Sequence, residues 1–169
     1  MNKFELYHPI FTNRLVLDWL TKSKIKSIFE LRHNPTIAEQ VGRPIDATIE
    51  ATTTYVNQMM RLVMNNEALI WGITRQSDQQ FLGSFAIMDF DHDQKTATLQ
   101  FELLPAYQHQ GYLKEVLTHM INFSFAELGL SQINVLLPPT NQVAKPLLIA
   151  AGFTPITTAS RTVYQLQRP

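Results

Sequence analysis

The stretch from Thr96 to Pro139 constrains what this chain can fold into more than any other. Two runs, residues 96–104 and Gln132–Leu137, flank a long segment over residues 111–128, and both stop at proline, at Pro105 and at Pro138-Pro139. In the first run Ala97, Leu99, Phe101 and Leu103 alternate with Thr98, Gln100 and Glu102, the period of a β-strand. In the middle segment Leu113, Val116, Leu117, Met120, Ile121, Ser124, Phe125 and Leu128 form one helical stripe, which Gly129 ends. A helix of this length suits a right-handed crossover between parallel neighbours. Proline gives a ladder no N–H, so both strands are predicted to stop pairing at the same end. Neighbours that part at their C-terminal ends leave a slot, the usual place for a ligand in such a sheet.

The loop after the first strand indicates the charge of that ligand. Ala106-Tyr107-Gln108-His109-Gln110-Gly111 leads straight into the long helix. Free N–H groups at a helix start, with the positive end of the dipole behind them, favour a phosphate. Gly111 lets the backbone approach closely because it has no Cβ. Taken alone, one glycine ahead of a helix reads more readily as a flexible connector.

The rest of the chain completes a sheet around this unit. Residues 14–20 read as a first strand, residues 22–32 and 36–41 as helices, and a third helix runs from a cap at Asp46 or Thr48 to about Asn65. Residues 68–75 and 81–88 form a hairpin through Gln76-Ser77-Asp78, and Asp91-His92-Asp93-Gln94 turns into the proline-stopped strand. A helix over residues 142–151 and a strand over Thr162–Gln167 finish the chain. This order predicts an α/β (α+β) fold with a mixed, mostly antiparallel central sheet, in one domain over residues 1–169.

Composition excludes several classes. There are no cysteines, so disulfides, thiolate metal sites and cysteine nucleophiles are absent. Fourteen Lys and Arg balance fourteen Asp and Glu, which argues against nucleic acid as a partner. No run approaches the roughly 18 apolar residues of a membrane span, and residues 1–9 do not read as a signal peptide, so a cytoplasmic location is expected. Asp89, Asp91 and Asp93 imitate the start of a calcium loop, but Gln94 and Gln100 stand where Gly and Glu are needed, so no metal site is expected.

The run Pro105-Ala106-Tyr107-Gln108-His109-Gln110-Gly111-Tyr112-Leu113-Lys114-Glu115 resembles the acetyl-CoA signature of the GNAT superfamily, in the form of its ribosomal-protein N-terminal acetyltransferase branch. The likeness extends to Thr12-Asn13-Arg14-Leu15-Val16-Leu17, Trp71-Gly72-Ile73, Leu82-Gly83, and Asn141, Ala144 and Gly152-Phe153. It implies helices on both faces of the sheet, strands splayed at the cofactor, and transfer of acetyl from acetyl-CoA to a primary amine by direct attack in a ternary complex. It further implies that the backbone of Leu103 and Leu104 binds the pantetheine arm and thioester carbonyl. The amides of His109, Gln110, Gly111, Tyr112, Leu113 and Lys114 would hold the pyrophosphate, and Asn141 would bond the pantetheine end. Many relatives dimerise, so the resemblance puts a homodimer among the expected assemblies. Leu113 departs from the family's second small residue, and Ala144 and Leu148 stand where relatives carry a Ser or Tyr acid.

Glu102, near the end of its strand, is the candidate general base. Its bland reading is a solvent-facing strand residue. Glu115 suits the helix dipole and lies one turn from His119, with which it could form a surface pair. His109 offers its backbone to a phosphate more readily than its ring. The acceptor stays open between a protein N-terminus, such as that of a ribosomal protein, and a polyamine or aminoglycoside-like amine. A non-catalytic acetyl-CoA-binding module is a third alternative. A nucleotide or phosphoester enzyme lacks its Gly-x-x-x-x-Gly-Lys loop here.

Overall fold

The structure is a computed structural model describing residues 2–159 and 161–169. Met1, the first residue of the charged N-terminal stretch, and Ser160 lie outside the described residues. The strands are β1 (Ile10–Phe11), β2 (Leu15–Asp18), β3 (Leu69–Arg75), β4 (Phe81–Asp91), β5 (Thr96–Leu103), β6 (Gln132–Leu137), β7 (Thr154–Thr157) and β8 (Thr162–Gln167). The helices are α1 (Ile25–His33), α2 (Pro35–Val41), α3 (Ile49–Met64), α4 (Tyr112–Ala126) and α5 (Lys145–Ala150). One eight-stranded sheet runs in the order β1-β2-β3-β4-β5-β6-β8-β7. Every pairing is antiparallel except β5 with β6. The mixed sheet with helices on both faces is the expected fold class.

The crossover follows from α4, whose stripe buries Leu113, Val116, Leu117, Met120 and Phe125. Leu69 to Ile73 of β3 are buried without alternation, which requires cover on both faces. Trp71 meets Phe123 of α4 edge to face at 5.9 Å, and its indole N–H donates to Tyr7 O. The Thr48 hydroxyl, not Asp46, caps α3 by accepting from Ala51 N. Asp46 instead accepts the Arg32 guanidinium and the Thr52 hydroxyl. Pro35 opens α2 behind the Asn34 cap.

Several boundaries differ from the sequence reading. The first long strand is only Leu15–Asp18, and Leu20 begins a 3-10 turn. Strands β1 and β7 carry no apolar alternation, and β7 holds Pro155, which an edge strand tolerates. The last helix is Lys145–Ala150 rather than residues 142–151, because the Asn141 side chain holds the residues before it in a turn. No helix among the described residues is long and apolar enough to cross a membrane.

Candidate active site

The slot predicted from the two prolines is present. The β5–β6 ladder ends at Leu99 opposite Val135. Beyond it each strand keeps only its outer partner: Leu103 pairs with Gly83 of β4, and Leu136 and Leu137 pair with Val163 and Thr162 of β8. Two cavities occupy the gap. One, of about 400 Å³, runs from Phe101, Glu102 and Leu103 past Asn141 and Ala144 to His109, Gly111, Leu113 and Lys114. The other, of about 430 Å³, lies between Thr98, Gln100, Leu136, Pro138, Asp89 and Arg161. Val41, Phe101 and Glu102 line both, so the two meet at the end of β5.

The loop after β5 presents free donors. Gly111 caps α4 with φ of 83°, a left-handed conformation that favours glycine. Glu115 N is the first amide of the helix to bond back, to Gly111 O at 3.0 Å. The N–H groups of residues 109–114 have no acceptor among the described residues. Free amides at a helix start beside a cavity, with His109, Gly111, Leu113 and Lys114 in its wall, suit a pyrophosphate.

Arg14 braces this loop from β2's leading edge. Its guanidinium donates to Gln110 O and to Glu115, and it lies 4.2 Å over the Tyr112 ring. Burial disfavours the Glu115 carboxylate. Hydrogen bonds from the Thr12 hydroxyl and from the Arg14 amide and guanidinium outweigh that and hold its pKa below the ordinary value. Glu115 is thus bound to Thr12 and Arg14, not to His119.

The other expected residues divide by which of their atoms face the gap. Leu104 N donates to Leu82 O at 2.8 Å, so it is not the amide free for a thioester oxygen. Backbone groups alternate sides along a strand, so the Leu103 amide and carbonyl face the gap instead. That carbonyl accepts from the Gln108 side chain at 2.9 Å, and the same Gln108 nitrogen lies 3.2 Å from Gln40 Oε1. Asn141 is buried, and its Oδ1 accepts from Val143 N and Ala144 N. This fixes the side chain and leaves its NH₂ toward the cavity it lines. Tyr112 and Gln110 do not line the cavities. The Tyr112 hydroxyl takes a bond from Arg75. Leu148 is fully buried, out of reach of the cleft.

Glu102 is no free solvent-facing residue. Arg43 grips it fork to fork, Nη2 to Oε1 at 2.6 Å and Nε to Oε2 at 2.9 Å. The remaining Arg43 bonds reach Leu31 O, Arg32 O and Pro44 O. Burial disfavours the Arg43 cation, but the bond to Glu102 more than restores it, and its pKa lies above the ordinary arginine value. Behind it Arg32 stacks 3.4 Å over Tyr55 and binds Asp46. Arg43 was not legible in the sequence, where it shows only as the middle of a Gly42-Arg43-Pro44 turn.

A gap between parting parallel strands, with free helix-start amides beside it, suits a phosphate-bearing cofactor. The chain belongs to the acetyltransferase (GNAT) domain family, whose model matches residues 14–154. It is an acetyl-CoA-dependent acyltransferase, and acetyl-CoA is its cofactor. The uncharacterized N-acetyltransferase YoaA of Bacillus subtilis (strain 168) is 23% identical over 158 residues, 94% of this chain and 89% of that protein. The ribosomal-protein alpha-N-acetyltransferase RimL, solved with coenzyme A, superposes with a TM-score of 0.83 at 15% identity, over 95% of this chain and 98% of its own. Spermidine N-acetyltransferase from Vibrio cholerae, solved with coenzyme A and spermine, gives a TM-score of 0.75 at 17% identity, over 90% and 93%.

Proposed function

We propose that this protein acetylates the free α-amino group of a peptide or protein chain, and that the two cavities serve the two substrates. The observation that carries this reading is their junction at Val41, Phe101 and Glu102, where β5 has left β6. Acetyl-CoA supplies an activated acetyl thioester when bound. The amides of residues 109–114 hold its pyrophosphate through the helix start. The Leu103 backbone and the Asn141 NH₂ orient the arm in the 400 Å³ cavity. The Leu103 amide is the donor toward the carbonyl oxygen. The acceptor approaches through the 430 Å³ cavity. Glu102 receives the amine: each of its oxygens keeps a lone pair beyond the Arg43 bond, so it accepts from an ammonium or a relay water and draws the proton away.

A thiol-release assay tests this. The chain has no cysteine, so every thiol that appears is free coenzyme A. Release that depends on acetyl-CoA and on peptides with free N-termini is the expected result. Cofactor binding without turnover across peptides and small amines identifies a non-catalytic module instead. The absence of binding rejects the site.

A further inference from the structure

We propose that Arg43 determines acceptor specificity: by neutralising Glu102 it leaves the acceptor cavity without net charge, so the cavity takes an amine on an uncharged body and turns away polyamines. This inference rests on the reading of the 430 Å³ cavity as the acceptor site.

Four charged side chains line that cavity: Arg43, Glu102, Asp89 and Arg161. The first two form the fork-to-fork pair, with side chains only 15% and 13% exposed, and cancel. Asp89 and Arg161 bring one charge of each sign. The rest of the wall is mostly apolar, with Leu99, Val135, Leu137 and Pro138 among it. A polyamine carries several cations spaced along a flexible chain. It needs several carboxylates to replace the water it loses, and here each of the two carboxylates in the wall is matched by an arginine. An α-amino group on a peptide brings one cation, loses it before attack, and offers an otherwise neutral body to apolar walls. An arginine stays cationic throughout the physiological range, and the bond to Glu102 raises the Arg43 pKa further.

Arg43 also ties the end of α1 to β5, so its removal is tested beside a gentler change. Gln100 is exposed, lines the same cavity, and becomes a carboxylate of nearly the same shape in Gln100→Glu. Thiol release is measured with spermidine and with a short peptide bearing a free, uncharged N-terminal residue, for the wild type, Arg43→Gln and Gln100→Glu. The wild type is expected to prefer the peptide by about tenfold or more in kcat/KM. Each variant is expected to shift the ratio at least about fivefold toward spermidine, mainly through a lower KM for spermidine. Melting curves report whether Arg43→Gln is folded, and Gln100→Glu decides the question if it is not. Spermidine preferred by the wild type overturns the proposal, as does a ratio that Gln100→Glu leaves unchanged. No turnover by any of the three with either amine rejects the transferase reading, and this inference with it.

Discussion

Asn141 has two jobs on two atoms. Its Oδ1 holds the turn before α5 by accepting from Val143 N and Ala144 N, and its NH₂ is the group proposed to meet the cofactor arm. Asn141→Asp keeps the acceptor and deletes the donors. The variant is expected to melt close to wild type while its KM for acetyl-CoA rises about tenfold. Asn141→Ala loses both, with an added cost of about 1 kcal/mol for the lost turn hydrogen bonds. Equal KM in wild type and Asn141→Asp would remove Asn141 from the cofactor site. His8 shows a separate effect. Its ring stacks 4.1 Å from Trp19, its Nε2 lies 3.0 Å from Ile70 O, and its Nδ1 is buried with no partner among the described residues. Burial pushes its pKa below the ordinary 6.5, so the unfolded chain takes up this proton first. Stability is therefore full above about pH 6.5 and falls as pH drops from there toward the folded-state value. Glu115, held below the ordinary 4.5, loses its contribution only in stronger acid. Melting temperature is expected to decline as pH falls below about 6.5 and to decline less in His8→Phe. Parallel curves for the two proteins contradict this.

Among the elements, those built on long repeats were legible in the sequence. The stripe of α4, the alternation of β5 and the prolines after β5 and β6 each leave a local signal, and together they located the slot. Short edge strands leave none: β1 is two residues long, and all of β7 is exposed. The partners of the site residues were also hidden. Arg43 and Glu102 are 59 positions apart, and Arg14 and Glu115 are 101 apart, so only the folded sheet brings them together. The Leu103 and Leu104 assignment turned on ladder phase, which the stop at Pro105 does not reveal. The same strand pair explains Gly83. A Cβ there would overlap the Glu102 carbonyl oxygen, a backbone atom that cannot step aside. Gly83→Ala is expected to destabilise the protein at the upper end of the roughly 1–3 kcal/mol typical of overpacking. Because it pushes on the strand that carries Glu102 and Leu103, kcat should fall in the surviving folded fraction. Chemical denaturation and active-site titration measure the two effects, and a neutral Gly83→Ala would mean that β4 and β5 separate freely.

For the molecule as a whole, the proposed site is the gap where an eight-stranded sheet divides, with the start of α4 beside it to take the cofactor's phosphates. The division costs little because each parting strand keeps its outer neighbour, β4 for β5 and β8 for β6. The gap opens beside a helix start whose amides are already free, and the Arg14–Glu115 contact braces the loop that carries them. Hydrogen–deuterium exchange with and without acetyl-CoA reads those amides directly. Added acetyl-CoA is expected to slow exchange at residues 109–114, with a smaller effect at Leu103, and to leave β1 and β2 unchanged. Binding that protects other segments and leaves residues 109–114 exchanging as before would contradict the account.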